Sequence, residues 1–220
     1  MIRAYLFDYG GTLDGEGWHW FDRTVELYRR AGSDAPTAEI KRAFYVADQR
    51  LGLEAAREQY RLRPLVERHV EIQAEVLGES VRQIVGTLVE GFCAISEEGW
   101  QTARSCLARL RRGARLGVVS NFYGNLTTIL KEAGLAPFLD VTIESAVVGV
   151  EKPDPAIYRI ALERLALPAG QVCMVGDNFD RDVRPSVAIG MRAIWLSREG
   201  REPPQSGLAE RTIRRLAEID

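Results

Sequence analysis

Lysine is scarce in this sequence. Of 29 basic residues, only Lys41, Lys131 and Lys152 are lysines, and the others are arginines. Because 31 acidic residues outnumber the basic ones, the net charge is −2, and the chain has no basic excess of the kind that binds nucleic acid or an anionic membrane. We therefore expect neither nucleic acid nor a membrane as a partner.

Cysteine and long apolar runs are scarce as well. The three cysteines are odd in number and lack metal-ligand spacing, and each lies in an apolar or amphipathic run, which predicts reduced core residues. No stretch approaches the ~18 apolar residues of a membrane span. The N-terminal residues MIRAYLFDYGG lack the regions of a secretory signal. These absences predict a cytoplasmic protein.

Short apolar segments alternate with helical patterns along most of the chain. Strands are predicted over 2–7, 115–120, 141–144, 172–176 and 193–197. Helices are predicted over 97–112, 125–133, 155–165 and 180–189, with a last helix that runs to the C-terminus. Such alternation predicts an α/β fold with a doubly wound, Rossmann-like parallel sheet, whose functional groups lie at the carboxyl ends of the strands.

The segment between the first two predicted strands breaks this alternation. It is far longer than an ordinary loop and is helical in pattern, with helix breaks near residues 33–37 and 78–80. We therefore predict an inserted, all-helical cap domain over 15–92. The core domain is then formed by 1–14 and 93–220.

Polar residues follow the first two predicted strands where each strand ends. Asp8 comes directly after the first strand and precedes small residues, so its carboxylate can approach a substrate closely and act as a nucleophile. Ser120 and Asn121 follow the second strand. Their side chains and backbone N–H groups suit a phosphoryl oxygen, although a simple helix cap explains them too.

Two further polar segments lie later in the chain. Lys152 precedes a helix start at Pro153 and Pro155, which would fix its ammonium group near the site. Asp177 and Asp182 follow the strand over 172–176. With Asp8 they would offer the carboxylate oxygens that Mg²⁺ prefers, although acidic residues are also common in solvated loops.

Together these segments resemble the haloacid dehalogenase-like superfamily. Its motifs are Asp-x-Asp-Gly-Thr, then Ser or Thr, then Lys (often in KPxP), then Gly-Asp-x-x-x-x-Asp. This sequence matches them in order, with Asp8, Gly11, Thr12, Ser120, Lys152, Asp177 and Asp182. The segments SAVVGVEKPDPAIY and VGDNFDRDVRPSVAIGM also read like members of the superfamily. The resemblance covers about 1–14 and 93–200, and the predicted cap matches in position and helical character.

The resemblance implies a Mg²⁺-dependent hydrolase that acts on a small phosphorylated metabolite. Asp8 would attack phosphorus and form an aspartyl-phosphate, which water then hydrolyses. The implied catalytic residues are Asp8, Ser120 and Lys152, and the phosphate-binding residues are Gly11, Thr12, Ser120, Asn121 and Lys152. The implied Mg²⁺ ligands are Asp8, the backbone carbonyl of Gly10, Asp177 and Asp182. The oligomeric state stays open.

Gly10 departs from the motif. Phosphatases of the superfamily usually carry there an aspartate that protonates the leaving oxygen and then helps to activate water. Loss of a general acid costs about 10²–10⁴ in rate for a poor leaving group. A good leaving group would need no acid, or Asp14, His19, Tyr9 or the substrate itself would supply the proton.

Other functions fit parts of the pattern. Gly10 is also compatible with a catalytically impaired phosphate-binding or protein-interaction module. Phosphonate-cleaving relatives have a small residue here and use a cap lysine, for which Lys41 is the candidate. The 2-haloacid dehalogenases of the superfamily are a more distant alternative. The Trp18–Phe21 aromatic cluster faces either the substrate or the core of the predicted cap, and His69 is predicted to be a core residue.

Overall fold

The computed structural model describes residues 1–219, apart from the side chains of residues 53 and 79. Within these residues a six-stranded parallel sheet has the order β3-β2-β1-β4-β5-β6. The strands are β1 (Ala4–Phe7), β2 (Arg115–Ser120), β3 (Val141–Glu144), β4 (Val172–Gly176), β5 (Arg192–Leu196) and β6 (Arg211–Ile213). This sheet confirms the predicted doubly wound α/β fold.

The central strand β1 explains why the sheet is covered on both faces. Its four residues are all buried, and it pairs with β2 through Leu6 opposite Gly117 and with β4 through Leu6 opposite Met174. Successive side chains of a strand point to opposite faces. Tyr5 and Phe7 accordingly belong to one core cluster, whereas Ala4 and Leu6 belong to another. A continuous apolar run is typical of a strand buried on both sides.

Helices cover the two faces and form the long insertion. They are α1 (Trp20–Arg30), α2 (Thr37–Glu58), α3 (Leu62–Leu77), α4 (Glu79–Arg82), α5 (Val85–Leu110), α6 (Leu126–Glu132), α7 (Ser145–Val148), α8 (Ala156–Leu165) and α9 (Arg184–Ala188). Buried residues of α5 and α6 pack with Tyr5 and Phe7, and α8 packs on the other face with Leu6. Within residues 1–219, no helix is both long enough and apolar enough to cross a bilayer.

The segment between β1 and α5 is helical, as its sequence pattern predicts. Helix α3 packs between α2 and α5, and α1 also contacts α5. We call α1 to α4 the insertion. Helix α5 begins at Val85, twelve residues before the predicted start at residue 97, and it runs without a break through residue 92. The division into a cap domain over 15–92 and a core domain therefore stays a prediction.

The predicted helix at the C-terminus is wrong. The chain instead forms β6, which pairs in parallel with β5, and then a short helical turn over Leu216–Glu218. Pairing with β5 gives the backbone of residues 211–213 a hydrogen-bonded partner. Ile213, Leu216 and Ile219 are buried at positions three residues apart. That spacing resembles a helical pattern in the sequence, but here one strand and one turn bury these side chains.

Candidate active site

The candidate site lies at the carboxyl ends of β1 and β4. From β1 the chain proceeds to β2 and β3 on one side of the sheet, whereas β4, β5 and β6 lie on the other. The strand order therefore reverses between β1 and β4, which is where open α/β sheets form their ligand crevice. Asp8 follows β1 directly, and Asp177 follows β4. The fold thus brings together two residues that are 169 positions apart.

Asp8 is held at the centre of this crevice. Its backbone N–H donates to the carbonyl oxygen of Val175 in β4 at 2.9 Å, which fixes the end of β1. Ser120, the last residue of β2, donates its hydroxyl to Oδ1 of Asp8 at 2.8 Å. The Nζ atom of Lys152 lies 2.7 Å from the same oxygen. A carboxylate held by a hydroxyl and an ammonium group is fixed in one orientation.

Lys152 links Asp8 to a second carboxylate. The ammonium group is buried and lies 2.7 Å from Oδ1 of Asp182 as well as from Asp8. Asn121 holds the backbone at this point, since its amide donates to the Lys152 carbonyl at 2.9 Å and accepts from the Lys152 N–H at 2.7 Å. Asn121 therefore positions the lysine. Its predicted contact with phosphate stays a prediction.

Three carboxylates converge around this lysine. Oxygen atoms of Asp8, Asp177 and Asp182 lie within 4.8 Å of one another. Thr12 orients Asp177, because its hydroxyl donates to Oδ1 at 2.8 Å and accepts from the Asp177 N–H at 3.1 Å. Gly11 has a φ of +91°, and a Cβ atom there would lie 2.6 Å from Oδ2 of Asp177. The predicted Gly-Thr pair thus shapes one side of the acidic cluster.

The cluster carries more negative than positive charge. Burial and the neighbouring Asp8 and Asp182 carboxylates raise the pKa of Asp177 well above its usual value. Burial likewise raises the pKa of Asp182 to about 6, although Lys152 opposes this shift. Burial alone would lower the pKa of Lys152, but Asp182 and Asp8 outweigh that effect and raise it. The ammonium group stays charged among three acids.

This arrangement fits a divalent cation. Hard cations such as Mg²⁺ bind carboxylate oxygens, and their charge removes the repulsion that raises carboxylate pKa values. Three converging carboxylates with one ammonium group leave a negative excess for such an ion to neutralise. Gly10, whose carbonyl is the fourth predicted ligand, lines the same cavity as Asp8.

A cavity of about 110 Å³ opens from Asp8 toward the insertion. Ser120, Asn121 and Lys152 line its end near Asp8, and the opposite end is lined by His19, which caps α1, and by the insertion residues Trp20, Phe44, Tyr45 and Asp48. The Trp18–Phe21 cluster is divided, because Trp18 and Phe21 line a separate groove beside β5. Lys41 is exposed on α2, and the described lining of the cavity does not include it. His69 is buried behind Asp48.

Comparison with known proteins identifies the family. A family profile described as haloacid dehalogenase-like hydrolase matches residues 2–190. The chain belongs to the haloacid dehalogenase-like hydrolases. Because that match covers most of the chain, the resemblance seen in the four sequence motifs is confirmed.

Individual relatives share parts of this hydrolase. The zebrafish (Danio rerio) haloacid dehalogenase-like hydrolase domain-containing protein 3 is 36% identical over 124 residues, which cover 53% of this chain and 49% of that protein. Pyrimidine 5′-nucleotidase YjjG of Escherichia coli is 32% identical over 120 residues, which cover 54% of this chain and 53% of the relative. The chain thus spans about half the length of these curated relatives.

A solved structure matches over nearly the whole chain. The crystal structure of a HAD phosphatase from Thermococcus onnurineus aligns with a TM-score of 0.58 and 24% identity, covering 99% of this chain and 95% of that one. At this identity the likeness shows the fold alone. The inserted helices are part of the alignment, because it leaves out 1% of this chain.

Gly10 of this hydrolase lies beneath a tryptophan. The backbone at Gly10 has φ −71° and ψ 113°, a conformation that any residue adopts, so the turn itself does not require glycine. A Cβ atom at this position would lie 3.4 Å from Nε1 of Trp20 and 3.5 Å from its Cδ1. The indole ring therefore borders the space into which an aspartate side chain would extend. The sequence motif alone did not reveal this packing.

Asp14 holds that tryptophan in place and is not free to act as an acid. The Trp20 indole N–H donates to Oδ2 of Asp14 at 2.7 Å, and the Gly11 N–H donates to Oδ1 at 2.7 Å. Arg23 forms an ion pair with Asp14 at 2.9 Å, and both side chains are fully buried. Ser96 of α5 donates to the same carboxylate at 3.3 Å. These donors make Asp14 a structural anchor between the β1 loop, α1 and α5.

The other two candidate proton donors differ in position. Tyr9 is buried, its hydroxyl accepts from the Trp100 indole at 3.1 Å, and burial raises its pKa well above the usual value. His19 lines the cavity and caps α1, where Nδ1 accepts from the Phe21 N–H at 3.2 Å. Burial lowers the pKa of His19 below its ordinary value. At neutral pH the uncharged ring, with Nδ1 as an acceptor, carries its hydrogen on Nε2 and has no surplus proton to transfer.

We predict that Asp14→Asn destabilises the protein strongly. Removal of one partner from a buried ion pair leaves the other charge uncompensated, which costs about 3–5 kcal/mol. Urea unfolding of the variant, compared with that of the exposed-loop variant Asp34→Asn, measures this cost. A loss below about 1 kcal/mol would contradict the anchoring role of Asp14.

Proposed function

We propose that this chain is a Mg²⁺-dependent phosphatase that transfers the phosphoryl group of a small phosphate monoester to Asp8 and then to water. The observation that carries the proposal is the convergence of Asp8, Lys152 and the acidic pair Asp177 and Asp182 within one buried cluster. Phosphoryl transfer requires chiefly positioning and charge stabilisation. The family of the chain, a relative named pyrimidine 5′-nucleotidase and a relative named phosphoserine phosphatase support the same reaction class.

The residues of the cluster would have different roles in the first step, the transfer of the phosphoryl group to Asp8. Asp8 is oriented by Ser120 and Lys152, so that one oxygen can attack phosphorus while the leaving oxygen departs. Lys152, Ser120 and backbone N–H groups of the β1 loop would hold the phosphoryl oxygens as charge builds on them. The product of this step is an aspartyl-phosphate on Asp8 and the released alcohol.

Mg²⁺ would be held by Asp8, the Gly10 carbonyl, Asp177 and Asp182, and it would neutralise charge on the phosphoryl oxygens. Thr12 and Gly11 shape this site through their contacts with Asp177. Dehalogenation has less support, because a halide leaving group gives three converging carboxylates no comparable role. Phosphonate cleavage through Lys41 has less support as well, because Lys41 is exposed on α2.

Gly10 determines which substrates are cleaved fast. With no carboxylic acid at this position, Asp14 buried in an ion pair and His19 neutral, the leaving oxygen departs without a strong proton donor. Aryl and acyl phosphates tolerate this loss, whereas an alkyl phosphate is cleaved slowly unless a group of the substrate itself supplies the proton. The same glycine favours a second candidate function, a phosphate-binding module with impaired turnover.

The direct test is phosphate release with and without Asp8. We expect Mg²⁺-dependent release from phenyl phosphate that falls at least about 10³-fold in Asp8→Asn, because the nucleophile is lost. Propyl phosphate should react about 10²–10⁴ times more slowly than phenyl phosphate. Binding of inorganic phosphate without any Asp8-dependent release would favour the binding module instead.

We predict that Gly10→Asp raises turnover of propyl phosphate relative to phenyl phosphate by about 10²-fold, because it restores a carboxylic acid near the leaving oxygen. The new Cβ atom fits against Trp20 at 3.4 Å. Gly10→Ala adds the same Cβ atom without the acid and is the matched control. If the turnover of propyl phosphate relative to phenyl phosphate rises equally in both variants, or rises in neither, Gly10 does not limit proton transfer.

Mg²⁺ binding should depend on pH through the acidic cluster. The pKa of Asp182 is about 6 in the folded protein, against 3.8 for a free side chain, so the metal-free fold loses stability as pH rises through this window. Mg²⁺ replaces the bound protons. The rise in Tm caused by Mg²⁺ should therefore grow between pH 5 and pH 7, reaching about 5–10 °C when the ion exceeds its Kd a hundredfold.

Thermal unfolding with and without Mg²⁺ at three pH values measures this effect. Asp182→Asn is the matched variant, and it should flatten the pH dependence. A shift in Tm that is equal at all pH values would contradict the proposed metal site.

A further inference from the structure

A single carboxylate of the insertion lies in the wall of the cavity. Five aromatic side chains line this cavity, namely Trp20, Phe44, Tyr45, Phe122 and Tyr123. Asp48 of α2 lies among them, and 29% of its side chain is exposed. An acid in an aromatic cavity loses hydration, so its presence calls for a partner.

Two donors hold the Asp48 carboxylate from behind. The Tyr123 hydroxyl, which belongs to the loop after β2, donates to Oδ1, and Nε2 of His69 lies 3.2 Å from the same oxygen. The His69 ring is fixed in turn by the Gln73 amide, which lies 2.7 Å from Nδ1. Gln73 accepts from the Tyr28 hydroxyl at 3.1 Å. This hydrogen-bonded chain fixes the orientation of Asp48 through the core of the insertion.

In the described residues no arginine or lysine contacts the Asp48 carboxylate, which is held by Tyr123 and His69. The Gln73 amide nitrogen lies 2.7 Å from Nδ1 of His69, a contact in which Nδ1 accepts and a ring hydrogen on Nε2 points toward Asp48. Burial, and then the Asp48 charge, raise the pKa of Tyr123 well above its usual value, so its hydroxyl stays protonated. Both contacts fall on Oδ1, and within residues 1–219 no hydrogen bond reaches Oδ2.

Arg181, which lines the cavity as Lys152 does, forms no ion pair with Asp48 in the described part of the chain. It belongs to the turn that carries Asp182. Arg50, two residues further along α2, pairs with Glu75 and not with Asp48. The Asp48 carboxylate can therefore pair with a cation that belongs to a ligand. Aromatic rings beside the carboxylate favour the same charge, because their faces attract cations.

The volume of the cavity suits a small ligand. One water molecule needs about 10–15 Å³ of such space, so 110 Å³ holds roughly seven to eleven non-hydrogen atoms. A phosphate monoester of a two-carbon amino alcohol has eight. With its phosphoryl group at Asp8, it leaves a short chain to extend toward the insertion.

We propose that Asp48 is a specificity residue and that the substrates of this hydrolase are small phosphate monoesters whose alcohol carries an ammonium group, which binds Oδ2 of Asp48. This proposal rests on the proposed phosphatase function. The alternative role of Asp48 is structural, because its bond to Tyr123 also fastens α2 to the loop after β2.

The test compares two substrates of equal size in the full-length protein with Mg²⁺. Phosphoethanolamine ends in an ammonium group, and propyl phosphate ends in a methyl group at the same position. We expect the wild-type protein to prefer phosphoethanolamine at least about tenfold in kcat/KM, and Asp48→Asn to lose most of this preference. This wild-type ratio does not depend on how well any variant folds.

Tyr123→Phe distinguishes recognition of the substrate by Asp48 from a structural role of Asp48 in joining α2 to the loop after β2. It removes the bond between α2 and the β2 loop but leaves Asp48 charged and held by His69. We expect it to lower kcat/KM for both substrates alike and to keep the preference within about threefold. Glu58→Gln, which removes an exposed charge from the same helix, should keep the preference unchanged.

The outcomes are distinct. The inference is overturned if the wild-type protein hydrolyses phenyl phosphate through Asp8 but shows no preference for phosphoethanolamine. It is also overturned if Asp48→Asn keeps the wild-type ratio, or if Tyr123→Phe changes the ratio as much as Asp48→Asn does. Absence of Asp8-dependent release from phenyl phosphate would instead overturn the proposed function, and this inference with it.

Discussion

The structure depends on keeping three carboxylates together around one ammonium group. Lys152 lies 2.7 Å from both Asp8 and Asp182, and the carboxylate oxygens of Asp177 complete the cluster within 4.8 Å. Burial makes this arrangement costly, which is why the pKa values of Asp177 and Asp182 are raised. The surrounding architecture supplies what the cluster needs: strand ends that present the acids, a glycine that leaves room for Asp177, and a threonine that orients it.

A second buried charge pair links this cluster to the insertion. Arg23 and Asp14 join the loop after β1 to α1, and Asp14 also holds the indole of Trp20 above Gly10. One packing arrangement thus places the Trp20 indole beside Gly10 and in the wall of the cavity. A difference at this one motif position leaves the contacts among Asp8, Ser120 and Lys152 in place.

The sequence predicted the parts of this protein that short-range patterns specify. Apolar runs ending in polar residues located β1 to β5 and the acids that follow β1 and β4, and the motif order indicated the family and Lys152. Prediction from the sequence was wrong where pairing with a distant segment decides the local structure. Residues 211–213 form β6 and not the predicted helix, because β5 provides a backbone hydrogen-bonding partner. Asp48 was missed because its partners, Tyr123 and His69, lie 75 and 21 positions away, although a carboxylate spaced between buried Phe44 and Leu51 on α2 was a usable signal.

A rapid-quench experiment can show whether Asp8 becomes phosphorylated during turnover. Without an acid at position 10, a good leaving group still departs, but the same absence slows activation of water in the second step. If Asp8 is the nucleophile, we therefore expect a burst of phenol from phenyl phosphate and an aspartyl-phosphate that accumulates on the enzyme. Acid quenching followed by borohydride reduction should convert Asp8, and no other aspartate, to homoserine in the peptide that contains it. Turnover without any modification of Asp8, or with modification of another residue, would show that Asp8 is not the nucleophile.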